Sequence, residues 1–376
     1  MMPMHVSRPA AAAPFALVVP LWLACVSCGD DSSSGAGGSS SSGGTGGTAT
    51  NGSTGGATPA ASGSGGDGTA STGTLAASTS SAGAGGSGSG GEGGAGGATS
   101  WEGVDPTAGI GQVTLVQGSF QFVEGPLWLG ELGVLRWSDI PPARIHELQG
   151  DAVSIWRSDS GGSNGLALLP DGRMVACEGA ARRVAVSALD VPAFGLVAET
   201  YLGARFNAPN DAIARGDGNL YFTDPDYGLA PQDHEIGFNG VYRVAADGTV
   251  HLVDDGRSLP NGIALSPDES TLYVADNGAS ELWAYALAPD GATSEGVLLT
   301  ATASGPDGMA VDDAGNLYVT TGDGVEVRHA DGALWGTIPV PEVPANCSFG
   351  GPDRNVLFIT ARTGLYRVQM VIPGPA

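Results

Sequence analysis

The chain has 376 residues, 63 of them glycine, and carries 39 acidic against 15 basic residues for a formal net charge of -24 at pH 7. Every basic residue is arginine, and so acidic a balance lacks the positive footprint that nucleic acid demands, which excludes nucleic acid as a partner. The same balance favours solubility and is compatible with a cation site.

In chain order, residues 1–28 read as an export signal. Arg8 gives a weakly basic start, and Ala10 to Ala24 is apolar with small residues near its end. The stretch is too short and too interrupted by proline for a membrane span. Small residues before Cys28 and Gly29-Asp30-Asp31 after it resemble a bacterial lipoprotein cleavage box, although Cys25 stands where leucine is usual. Cleavage there leaves Cys28 as a lipid-bearing N-terminus. The chain is then held in the bacterial cell envelope, with membrane contact through that anchor alone; without lipidation it is simply secreted. Residues 29–104 are Gly, Ser, Thr and Ala with hardly an apolar anchor. They bury too little to offset their ordering entropy and are expected to form a disordered tether.

Residues 105–376 form the folded part. Turn signals such as Pro170-Asp171-Gly172, Gly216-Asp217-Gly218, Ser266-Pro267-Asp268 and Asp313-Ala314-Gly315 alternate with short Val-, Ile-, Tyr- and Leu-rich strands. No long segment has helical period. A unit recurs roughly every 40 to 50 residues. Each copy has a polar residue, a short strand, a turn and a second strand: LRWSDI, RMVACE, LYFTDP, LYVADN, LYVTTG and LFITAR. Four strands per copy and six copies predict an all-β, six-bladed β-propeller. The last copy runs out of chain after its third strand, so Gln112 to Val116 is expected to supply the missing outer strand and close the ring.

The polar residues that open the copies are Glu124, Asn164, Asn210, Asn261, Asp307 and Asn346. In a propeller they ring the axis at one end of the central channel. All carry a side-chain oxygen, and oxygen-only donors suit a hard divalent cation, Ca²⁺ above all, which takes about six to eight of them. Zinc calls for His or Cys, and neither stands at these positions. His146, His251 and His329 fall in or beside third or fourth strands and read as surface residues. Cys177 and Cys347 read as buried free thiols. The longest connection, from Asp224 through Tyr227 and His234 to Asn239, reads as a lid or pocket wall on the same face.

Six stretches together resemble the gluconolactonase, regucalcin (senescence marker protein) and luciferin-regenerating enzyme family: Glu124-Gly125-Pro126, Asn207-Ala208-Pro209-Asn210-Asp211, Tyr221-Phe222-Thr223-Asp224-Pro225, Leu259-Pro260-Asn261-Gly262, Pro306-Asp307-Gly308-Met309 and Asn346-Cys347-Ser348-Phe349-Gly350-Gly351. The resemblance implies a propeller with one catalytic divalent metal, usually Ca²⁺, and hydrolysis of a small-molecule lactone. By position Glu124, Asn261 and Asp307 match the family's metal ligands. Asn210 matches a residue that binds metal or contacts substrate, and Asn164 and Asn346 match residues lining the pocket. Asp307 matches the family's general base, although a carboxylate on a cation is a weakened base and can instead orient the water. Ala208 stands where some members have an arginine, which leaves sugar-lactone specificity open. Two other functions stay in view: another Ca²⁺-dependent hydrolase such as a phosphotriesterase, and a non-enzymatic tethered binding propeller. Nothing in the sequence specifies an oligomer.

Overall fold

The computed structural model describes Trp101 and residues 103–375. The export segment, Cys28 and the tether up to residue 100 lie outside the described residues.

Six four-stranded antiparallel sheets make the blades, each in the order inner, second, third and outer strand. Blade 1 runs Val123–Leu129, Val134–Asp139, Arg144–Gln149 and Ala152–Ser158. Blade 3 runs Ala212–Ala214, Leu220–Asp224, Gly240–Val244 and Val250–Asp254. The inner strands of blades 2, 4, 5 and 6 are Ser163–Leu168, Pro260–Leu265, Met309–Val311 and Pro344–Gly350. Each inner strand touches the next, and that of blade 6 touches that of blade 1, so the ring closes. Blade 6 takes its outer strand from the N-terminal side: Thr114–Gln117 pairs with Gly364–Gln369, Thr114 opposite Arg367 and Leu115 opposite Tyr366. The propeller and its closing strand are as the sequence implies, with the strand shifted slightly toward the C-terminus.

The core is distributed. Successive strand residues point to opposite faces, and each blade presses both faces on its neighbours, so six apolar clusters form, one at each blade interface. Val175, Cys177 and Val184 meet Phe222 and Tyr242 between blades 2 and 3. Tyr221 and Val241 meet Ile263 and Val274 between blades 3 and 4. Second strands are covered on both sides, and Val134–Asp139 and Leu220–Asp224 are buried throughout. Cys177 and Cys347 are buried free thiols.

Three features depart from the sequence reading. The opening polar residue does not simply precede its inner strand: Glu124, Asn164, Asn261 and Asn346 lie inside it, at or beside a break in register with the second strand. That bulge turns the side chain away from the ladder. His146 is not on the surface; it is buried, stacked on Trp137 with ring centroids 5.5 Å apart and edge-on to Phe120. A short hairpin, Thr200–Tyr201 with Ala204–Arg205, also stands between blades 2 and 3.

Candidate functional site

Hydrogen bonds between blades fix the ring of polar residues. The hydroxyl near the end of one second strand donates to a carbonyl at the start of the next inner strand: Ser138 to Asn164 O at 2.7 Å, Thr223 to Asn261 O at 2.6 Å and Thr320 to Ala345 O at 2.8 Å. Backbone amides complete the seam, with Gly165 N donating to Asn210 O at 2.7 Å and Gly262 N to Asp307 O at 3.0 Å. The residue after the polar one is glycine in four blades because no side chain fits. A Cβ on Gly262 would lie 2.2 Å from Asp307 O, and one on Gly125 would lie 2.2 Å from Asn164 O.

In blade 3 that glycine position holds Asp211. Its carboxylate sits where a Cβ on Gly165 would fall, 2.3 Å from Asp211 Oδ1. It accepts from Ala212 N at 2.9 Å and from Asn346 Nδ2 at 3.3 Å. Sequence reasoning passed over this residue. The signal was present: five copies read Glu-Gly, Asn-Gly, Asn-Gly, Asp-Gly and Asn-Cys, and only one reads Asn-Asp.

Glu124, Asp211 and Asp307 therefore share one locality. Burial, then the Asp307 and Asp211 charges, push Glu124 well above the usual carboxylate range. Burial, then Asp211, push Asp307 up to about 7, while Asn261 and Arg362 pull the other way. Burial pushes Asp211 up to about 6. Burial and the repulsion among these acids favour protonated forms, which a cation among them would reverse. Four amides surround them: Asn210, Asn261 and Asn346 are buried, and Asn164 Oδ1 is a buried acceptor with no donor. A hydrogen-bonding amide oxygen left orphaned in this way is costly, and it fits an oxygen-seeking cation. Among the described residues no three His, Cys, Asp or Glu side chains close on one point as a ready-made cage, so a cation here would draw on amides as well as acids.

The lid residues divide. Tyr227 reaches the ring: its hydroxyl accepts from Asn261 Nδ2 at 3.2 Å, and burial followed by the Asp307 charge raises its pKa. His234 instead faces Asp226, 3.8 Å away on the same loop, with no contact to the ring. Asp224 accepts from Asn207 N at 2.8 Å. The same position in blade 1, Asp139, accepts from Gln121 N and Phe122 N, and in blade 4, Asp276, from Ser258 N and Leu259 N. Asp224 thus occupies a bracing position of the repeat, although its Oδ1 remains without a donor. Below the ring runs a cavity of about 1450 Å³, lined by apolar inner-strand residues such as Leu127, Ile213, Ile263, Val311 and Phe349, with Asp211 and Asn346 at the ring end and charged residues such as Asp171, Arg215 and Glu269 at the other.

Comparison with known proteins agrees with this fold. A family profile described as SMP-30/Gluconolactonase/LRE-like region matches residues 122–363. A gluconolactonase of Zymomonas mobilis is 32% identical over 68% of this chain and 81% of its own length. The pentonolactonase XacC of Haloferax volcanii is 30% identical over 66% of this chain and 84% of its own. Among solved structures, a gluconolactonase of Xanthomonas campestris superposes with a TM-score of 0.66 at 33% identity, covering 71% of this chain and 91% of that one.

Proposed function

The chain belongs to the SMP-30/gluconolactonase/LRE-like family, and from that premise we propose that it is a lactonase, a metal-dependent hydrolase that opens a lactone ring at the ring of acids and amides on its channel. The observation that carries the reading is the convergence of Glu124, Asp211 and Asp307, each driven up by burial or by the others, beside an unpaired amide oxygen on Asn164.

Glu124, Asn210, Asn261 and Asp307 would hold the cation, and the donor set favours Ca²⁺. When bound, the cation supplies Lewis-acid polarisation of the lactone carbonyl and charge compensation for the acids. Asp307 takes the proton from the attacking water, or orients that water. Its neighbour Asn261, tied to Tyr227, keeps it from turning away. Asp211 and Asn346, hydrogen-bonded to each other, form the floor against which the ring oxygens rest. Tyr227 closes the side toward the lid and excludes water there. Asn164 offers its free Oδ1 to a substrate hydroxyl or to the cation. Lipid anchoring through Cys28, and with it a place in the cell envelope, belongs to the same proposal.

A panel of five- and six-membered lactones, assayed with Ca²⁺ and with chelator, tests the reading. Turnover that chelator abolishes and Ca²⁺ restores is expected. Turnover of a fluorophosphate but of no lactone would move the site to phosphotriester hydrolysis.

A further inference from the structure

Arg362 occupies an unusual place beside this site. It is the first residue of the two-residue turn, Arg362-Thr363, that joins the second and third strands of blade 6, where Ala361 pairs with Gly364. Its φ is +46°, in the left-handed region that an L-residue disfavours. The turn is stitched down on both sides. Arg362 O accepts from Val123 N at 2.9 Å, one residue before Glu124, and Thr363 O accepts from Phe120 N at 3.1 Å. Thr363 donates both its N–H and its hydroxyl to Glu342, each at 2.9 Å. The backbone is thereby held in a conformation arginine disfavours, and the side chain is aimed by it.

That side chain is only loosely engaged by the protein. It is half-buried, its guanidinium lies 5.9 Å from the Phe122 ring centre, and it makes no hydrogen bond or ion pair among the described residues. Its turn nevertheless borders the ring, since the Arg362 carbonyl holds the amide next to Glu124, and on its outer side its charge helps the Thr363 and Tyr366 hydrogen bonds hold Glu342 down. Arg182, in the corresponding connection of blade 2 with φ +60°, makes the contrast. Its guanidinium is used up on Phe206 O at 2.6 Å, Arg205 O at 3.4 Å and Glu235 at 3.5 Å. Arg144 and Arg367, which also lack such partners, are exposed on strands. Arg362 is thus a half-buried guanidinium on a turn bonded beside Glu124, positioned by the backbone and committed to no hydrogen bond or ion pair among the described residues.

A substrate entering over Glu124, Asp211 and Asp307 meets acidic groups, and a carboxylate on it would be repelled unless a cation received it. The planar fork of a guanidinium matches a carboxylate through two parallel hydrogen bonds. Building on the lactonase reading, we infer that Arg362 anchors the substrate and selects lactones that carry a carboxylate substituent over the same ring without one.

Two readouts test the anchor in the full chain with Ca²⁺. The first is the ratio of kcat/KM for a carboxylate-bearing γ-lactone to that for its neutral counterpart. Arg362→Met should lower this ratio about 10-fold or more, mainly through KM, as expected for a lost hydrogen-bonded charge, and Arg362→Lys should keep part of it. The second is calorimetric binding of tetrahydrofuran-2-carboxylate, which cannot be hydrolysed; Arg362→Met should weaken it by a similar factor. If Arg362→Met folds poorly, Arg362→Gly relieves the φ strain while removing the charge, and the same losses are expected. Equal losses on both lactones, or unchanged binding of the probe, overturn the anchor and leave Arg362 as a counter-charge to Asp307 only. Probe binding that depends on Arg362 in a chain that opens no lactone overturns the lactonase reading and leaves the anchor standing.

Discussion

Blades 3 and 5 have the same three-residue inner strand and diverge around it. Blade 5 offers Asp307 followed by glycine and links its second and third strands through Gly322 and Asp323 alone. Blade 3 offers Asn210 followed by Asp211 and spends residues 225 to 239 on the same link, including a 3-10 turn at Pro231–Asp233. Blade 5 follows the repeat and contributes one acid. Blade 3 breaks the repeat twice, and both breaks point toward the ring: Asp211 adds an acid, and Tyr227 adds a hydroxyl on Asn261. The frame is set by what the blades share, and the chemistry by where one of them departs.

The sharpest way to break the comparison is at Asp307. Asp307→Asn keeps an oxygen donor and the shape but removes charge and basicity, so kcat on the best lactone at saturating Ca²⁺ should fall about 10²-fold or more. Asn261→Asp, which adds charge without touching the proposed base, should lose less. Near-wild-type kcat in Asp307→Asn would transfer the base role to Asp211, the other acid in the same field.

A second test bears on the shared frame. Gly262→Ala places a methyl against the Asp307 carbonyl, and overpacking of this kind costs about 1–3 kcal/mol. Urea denaturation should show that loss along with weakened Ca²⁺ binding. An unchanged midpoint would mean the seam is looser than its hydrogen bonds indicate.

Acidity gives a smaller, graded effect. Asp211 and Asp307 keep their protons up to about 6 and about 7 in the fold, against about 4 in an unfolded chain. Between those limits the folded chain binds more protons than the unfolded one, so the stability of chelated protein falls as pH rises from 4 to 7. Added Ca²⁺ should flatten that slope and raise the melting temperature. A chelated protein whose melting temperature is level across this range would argue against the burial that raises both acids.

Tyr227→Phe is expected to have the mildest effect. It removes one hydroxyl contact to Asn261, and a few-fold loss in kcat/KM with little change in melting temperature should follow, as for a single neutral hydrogen bond of about 1 kcal/mol. A loss as large as that of Asp307→Asn would promote Tyr227 from wall to reacting group.

The fold was legible because a propeller writes its repeat into the chain: the second strands LYFTDP, LYVADN and LYVTTG announce themselves. The ring was legible for the same reason, one residue per copy in constant phase. What the phase hid was any residue outside it. Asp211 lies one step off the phase and was passed over, although its copy alone lacks the following small residue. Asp224 was read as pocket-lining because it begins the long loop, yet WSD, FTD and VAD share that aspartate at their ends, and the structure uses it to brace the approach to the inner strand. His146 was misjudged because strand position alone does not say which face a neighbouring blade will cover. Its burial depends on Phe120, which comes from the segment that follows the closing strand.

That closing strand has a further consequence, for the order of assembly. Thr114 bonds to Arg367 across a sequence separation of 253 residues. Five blades can form from local hairpins as the chain emerges, but the sixth waits for both extremities of the domain. Loop-closure entropy grows only slowly with length, yet contacts this remote slow folding, so the last event should be a zipping of Leu115 against Tyr366. Mechanically, the same seam is where a pull arriving along the chain from before Thr114 would first be felt. The bond from Gly111 N to Gln369 O, the packing of Ile110 and Val113, and three paired positions, those of Thr114, Leu115 and Gln117, resist it, so a stretched molecule should lose this strand before any blade yields.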